Sequence, residues 1–248
     1  MSRFIVCLIL SSFVFTAHAQ KELATQAMWE MEKGNLNEAK IKIDLAIKDR
    51  RAQKHRRVWY NKGRIYEELY SKNKNEEYAD TAVKSYIMSI HFKNNENSDA
   101  DQRIVDVGEL ARIDGVRVYK AKDFEKAEKL FLTSLRASKF QGLTDSVNFL
   151  NIAMSNVKIP EYDRALLYLD TCIQIDYMRM TSAKYTLTVY RNQGKENMVD
   201  KKIAEYRSTY PDNFDLLMLE VNNHLVKGRK KDAINAVNTS MKNYPESD

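Results

Sequence analysis

The chain has 248 residues, 44% of them hydrophobic, with only 7 Gly and 3 Pro and a formal net charge of +6. That apolar share supplies a core and excludes an intrinsically disordered chain. Scarce Gly and Pro exclude a β-rich fold with many turns, while abundant Ala, Leu, Lys, Glu and Met favour helix, so the composition predicts an all-α protein.

The first stretch, Met1–Ala19, stands apart from the fold. Arg3 and the amino terminus make a short positive start, Phe4–Phe15 is apolar apart from Ser11 and Ser12, and Ala17-His18-Ala19 forms a small-x-small triplet before Gln20. This pattern predicts a secretory signal peptide over residues 1–19 and an exported, periplasmic or extracellular chain. The apolar run falls short of the ~20 residues of a membrane span, so no stable membrane insertion is expected. Cys7 follows Val6 rather than a small residue, which argues against a lipid anchor. Removing the leader leaves a basic chain with one cysteine, Cys172, and no internal disulfide to help the core.

Beyond the leader the chain repeats. Ala39, Ala82, Ala127, Ala165, Val199 and Ala233 share one column, and Ile43, Tyr86, Phe131, Leu169, Ile203 and Val237 follow four residues later. Three residues further come Ala46, Ser89, Ser134, Cys172, Tyr206 and Ser240. The last three intervals from Ala127 are 38, 34 and 34 residues, and the earlier two are 43 and 45. Small residues four and three apart from a large one suit two antiparallel helices in close contact. Gly63 and Gly115 fall inside first helices, where glycine costs about 1 kcal/mol relative to alanine, so close packing is expected there. Gly34, Gly194 and Gly228 fall between paired helices, where positive φ is expected.

In chain order, the first repeat carries Gly34, Leu36, Ala39, Ile43 and Ala46. Lys48–Arg57 is a basic junction, read as a solvated loop closing a helix rather than a nucleic-acid patch. Trp59–Tyr66, Trp-Tyr-Asn-Lys-Gly-Arg-Ile-Tyr, opens the second repeat. Ser71–Tyr78 and Phe92–Ala100 are expected as exposed loops, with an Asp99/Gln102 capping box at the next helix. Asp123–Phe131 is the most regular second helix, Pro160-Glu-Tyr162 an internal turn, and Pro211 and Pro245 follow the last second helices.

Trp59, Gly63 and Tyr66, followed by the Ala-x3-Phe of Ala127 and Phe131, resemble the tetratricopeptide repeat, with Lys62 standing where a leucine is usual. The resemblance covers nearly the whole chain after the leader. It implies an all-α, right-handed α-solenoid of antiparallel helix pairs, in repeats of approximately 20–53, 56–96, 108–141, 146–179, 180–213 and 214–247. First helices of that family line a concave groove that holds a segment of another protein. Its columns fall here on Arg57, Tyr60, Asn61 and Arg64, then Arg112, Val116 and Tyr119. They continue through Leu150, Asn151 and Met154 to Lys184, Thr188 and Arg191. Asn61 and Asn151 stand in columns of the family's carboxylate clamp, but the accompanying lysine and second asparagine do not follow.

No phosphate loop, dinucleotide fingerprint, His-Glu-x2-His or paired Cys-x2-Cys occurs, which predicts no cofactor, no metal and no enzyme. Cys172 sits in a small-residue column and is expected to pack. The chain therefore reads as a protein-binding scaffold. Arg57, Arg64, Arg112, Lys184 and Arg191, with Tyr60 and Tyr119 among them, predict an acidic protein or peptide partner and no nucleic acid. The alternative reading is a subunit of an outer-envelope assembly machine. Ala233, Val237 and Met241 are read as one packed stripe of a final helix that caps itself, predicting a soluble monomer.

Export is tested directly. N-terminal sequencing of the protein recovered outside the cytoplasm should begin at Gln20, and a mature chain beginning at Met1 overturns the leader.

Overall fold

A computed structural model describes residues 22–92 and 99–243. The expected leader and its cleavage site lie outside the described residues, as do most of Phe92–Ala100 and Pro245. Every helix or strand among the described residues is helical. A first helix, α1 (22–32), is followed by α2 (Leu36–Ala46), a 3-10 turn (Ala52–Lys54), α3 (Arg56–Asn73) and α4 (Glu76–His91). Then come α5 (Ala100–Lys120), α6 (Phe124–Phe140), α7 (Ser146–Lys158) and α8 (Tyr162–Gln174). The chain ends with α9 (Arg179–Asn192), α10 (Glu196–Thr209), α11 (Phe214–Val226) and α12 (Lys230–Asn243).

Short turns join each odd-numbered helix to the next. The chain divides into two compact bodies, Met1–Ser155 and Asn156–Asp248. In the first, α3 packs on α4, α4 on α5 and α6, and α5 on α6. In the second, each helix from α8 to α12 packs on the next.

Local chemistry sets the helix ends. Asn75, Asp123 and Asn213 each accept a hydrogen bond from a backbone N–H in the first turn of α4, α6 and α11, which satisfies one of the orphan donors there. Gly34, Gly194 and Gly228 turn between helices at φ +83°, +67° and +70°.

The columns read from sequence form the core. Ala39, Ala82, Ala127, Ala165 and Val199 are fully buried, as are Tyr86 and Leu169 four residues beyond two of them. Cys172 is buried, and burial pushes its thiol up. Gly63 and Gly115 each meet the large residue of their own hairpin. A Cβ on Gly63 would lie 2.6 Å from the Tyr86 ring, and one on Gly115 would lie 2.7 Å from Phe131. Gly108, which the sequence did not single out, meets the Ala137 methyl at 2.5 Å in the same sense.

Lys62, the departure from the family pattern, has a partner. Its Nζ lies 2.8 Å from Asp44 of α2, and the Tyr66 hydroxyl donates to the same carboxylate at 2.6 Å. Burial pushes Asp44 up, but Lys62, Tyr66 and Lys40 outweigh it and hold the carboxyl below its ordinary value.

Four expectations need correction. Ser71–Tyr78 is not a loop: α3 runs on to Asn73, Lys74 closes it in the left-handed region at φ 52°, and α4 begins at Glu76. The extra turns carry Tyr70, fully buried, whose hydroxyl donates to buried Asp114 of α5 at 2.7 Å. The third repeat begins at Ala100 rather than near 108, because α5 is extended to match. No capping box forms at Asp99; its carboxylate takes the Tyr60 hydroxyl and the Arg103 guanidinium, while Gln102 turns to Asp106. Finally, α12 is not a self-sealed cap. Ala233 is buried, but Met241 is 65% and Ile234 59% exposed.

In the second body, Asp200 of α10 collects Asn223 at 2.6 Å, Lys227 at 2.8 Å and Arg229 at 2.9 Å from the following hairpin. Burial pushes its carboxyl up, and the three donors outweigh that and hold it well below the usual carboxylate range.

Two outcomes follow. Gly63→Ala and Gly115→Ala should each lower stability by about 1–3 kcal/mol through overpacking, against the gain of roughly 1 kcal/mol that helix propensity alone gives; urea unfolding decides. Because the folded pKa of Asp200 is depressed, its contribution is present above the unfolded value and lost as pH falls through the folded one. Asp200→Asn should therefore be less stable than wild type at neutral pH, with the gap closing below about pH 4.

Candidate functional site

The first helices carry the columns expected to face a groove, and the structure sorts them into three groups. The best-formed lies between α5 and α7. Val116, Tyr119 and Lys120 of α5, Phe131 of α6, and Asn151 and Met154 of α7 line an apolar recess of about 200 Å³. Phe131 is 1% exposed, and Gly115 lets its ring approach α5. Tyr119 is half-buried and stands edge-on to Phe124, with ring centroids 5.1 Å apart. The volume is below the roughly 300–1,000 Å³ of small-molecule sites. It suits a side chain rather than a cofactor. Lys120 is exposed, with no ion-pair partner among the described residues.

A second cleft continues along the same face of α5. Val105, Gly108, Glu109 and Arg112 meet the end of α6 and the segment from Gln141 to Val147. Leu143 and Val147 give it an apolar lip, being 59% and 40% exposed. Asp145 holds the segment in place, accepting from the Ser138 hydroxyl at 2.7 Å and from the Asn148 backbone at 3.0 Å. Arg112 donates to Glu109 at 2.5 and 2.9 Å, so its charge is compensated within α5.

The second group belongs to α3. Asn61 is buried at 6% exposure, and its amide donates to the Ala24 carbonyl at 3.4 Å. Tyr60 is half-buried, donates to Asp99 at 2.5 Å and stands edge-on to Tyr86; burial, then Asp99, pushes its hydroxyl pKa up. Arg64 shares a recess with Met31, Glu32, Glu67, Glu68 and Arg103. Three carboxylates there face two guanidiniums, and Arg103 is tied to Asp99 at 2.7 Å and Glu67 at 2.9 Å. Arg57 is exposed at the start of α3.

The third group, Lys184 and Arg191, is exposed on α9 in the second body. Sequence reasoning passed over Lys120 and Arg103. Lys120 reads as an ordinary basic residue closing a helix, and Arg103 lies ahead of the bounds expected for the third repeat, 108–141. Among the described residues no group of His, Cys, Asp and Glu is arranged to hold a metal ion, and no helix is long and apolar enough to cross a membrane.

No protein-family model matches the chain, and no curated protein matches it. Several solved structures do. The crystal structure of PilW, described as a widely conserved type IV pilus biogenesis factor, is 17% identical with a TM-score of 0.41, covering 93% of this chain and 96% of that one. PilF of Pseudomonas aeruginosa is 12% identical with a TM-score of 0.35, covering 93% and 94%. YrrB, described as a TPR protein with an unusual peptide-binding site, is 17% identical with a TM-score of 0.38, covering 83% and 93%. At these identities and scores the likeness carries no functional inference.

Proposed function

We propose that the protein is an exported, non-enzymatic scaffold of the cell envelope that holds a segment of another protein on the α5/α7 face. The observation that carries this reading is the apolar recess between Val116, Tyr119, Phe131 and Met154, with Lys120 at its edge. Such a recess takes one aliphatic or aromatic anchor, and buried anchors of this kind supply most of an interface's energy. The cleft beside Arg112 continues the track along α5. Acidic character in the segment follows from Lys120, exposed at the edge of the recess. Arg64 and Arg112 add little to it, because carboxylates stand beside both. Export rests on the leader pattern of residues 1–19.

Met154→Glu places a carboxylate in the open recess at a position of α7 that is half-buried, outside the helix's buried face, so the fold should survive while binding weakens by about 2 kcal/mol or more. Affinity purification from envelope extract with wild type and variant, with circular dichroism as the folding control, is the measurement. Undiminished capture by a folded Met154→Glu variant sinks the proposal.

A further inference from the structure

The last hairpin, α11 with α12, leaves bare a face that every earlier repeat covers. One residue after each small-residue position of the second helix come Lys40, Val83, Glu128, Leu166, Asp200 and Ile234. Seven residues further come Ile47, Ile90, Leu135, Ile173, Arg207 and Met241. In the second body these two columns face the following hairpin. Asp200 receives Asn223, Lys227 and Arg229 from it, Arg207 meets Glu220 at 3.1 Å and Ser240 at 2.8 Å, and Ile173 packs on Ala183, Tyr206 and Leu216. None of the earlier members is exposed, whereas Ile234 and Met241 are 59% and 65% exposed. On α11, Leu225 and Val226 occupy the places that Tyr119 and Lys120 hold in the third repeat, where they line the recess against α7. They too are bare, at 50% and 88% exposure.

The rim of this face is basic. Lys230 and Lys231 lie one turn before Ile234, and Lys242 adjoins Met241. All three are exposed, and no ion-pair partner for them is found among the described residues. Asp232, the acid of α12, lies on the other side of the helix, in a cleft with Arg207 and Pro211. We infer that the end face of α11 and α12 docks an acidic amphipathic helix of a partner protein, seated where a further repeat would pack. At Ile173, Asp200 and Arg207 the equivalent columns are covered by the helices that follow, which fits the face to a helix. A second copy docked through the same face would bring the three lysines against their own equivalents, and like charges oppose that. This site is separate from the α5/α7 recess.

The test uses the mature chain and two synthetic helical peptides with leucines at i, i+3, i+4 and i+7, one flanked by glutamates and one by lysines. Fluorescence anisotropy should show binding of the acidic peptide, weakened about tenfold or more by Ile234→Glu/Met241→Glu. Binding should also weaken as salt rises. Equal binding of the two peptides, or undiminished binding by the folded double variant, overturns the inference. Sedimentation with anionic phosphatidylglycerol vesicles that the double variant abolishes would assign the face to a membrane instead. A dimer in analytical ultracentrifugation that the same variant dissolves would assign it to a second copy. Loss of acidic-peptide binding in Met154→Glu alone would place that binding in the recess and leave the end face without its ligand.

Discussion

The structure depends on how closely paired helices approach. In the second and third hairpins the approach is set by a glycine of the first helix lying on an aromatic ring of the second, Gly63 on Tyr86 and Gly115 on Phe131. A methyl group at either place would intrude on a fully buried or nearly fully buried ring. Because cores are packed to the density of crystals, that intrusion cannot be absorbed without shifting the helices. Consequences spread from the contact. The Tyr86 hydroxyl reaches the Glu67 carboxylate, which also takes Arg103, which in turn holds the Asp99 carboxylate shared with Tyr60. One close approach thus registers α3, α4 and the start of α5. At Phe131 the same device floors the α5/α7 recess.

The columns of the hairpins were legible because helix periodicity repeats them, and a pattern that recurs six times survives local irregularity. Helix extents were not legible. Ser71–Tyr78 is rich in Lys, Asn and Glu, none of them buried, and a solvated helical face reads like a loop. The decisive residue was Tyr70, whose partner Asp114 lies 44 positions away. Lengthening α3 and α5 together gives that pair a buried meeting place, and no local signal announces a contact so distant in sequence. The Asp99/Gln102 pattern failed for the related reason that Tyr60 and Arg103 compete for the capping carboxylate.

Electrostatics followed the same division. Net charge and the columns occupied by arginine were plain in the sequence, but whether a cation is available to a partner depends on what stands beside it. Arg112 sits three residues after Glu109, an ordinary helical spacing for pairing, and the two are bonded. Arg64 faces a recess with more carboxylates than guanidiniums. Charges in such company steer a distant ligand weakly, since opposite signs within a Debye length cancel beyond it. Lys120, ignored for its ordinariness, stands beside an apolar recess without a partner among the described residues, which makes it the more usable cation.

The junction columns of the second helices separate what the fold imposes from what it leaves free. Val83 and Leu135 are apolar and buried at two junctions, while Asp200 and Arg207 fill the same columns at another with ion pairs and hydrogen bonds. Covering by the next hairpin is therefore a constraint of position, and either chemistry can meet it provided the polar version is satisfied. Where no hairpin lies over these columns, water favours polar side chains in them. Retaining Ile234 and Met241 there keeps the chemistry of a covered junction at a place where the described chain supplies no cover. Single exposed apolar residues are ordinary on protein surfaces; two in these columns of α12, joined by Leu225 and Val226 of α11 and rimmed by lysines with no ion-pair partner among the described residues, form a surface with a direction and a charge.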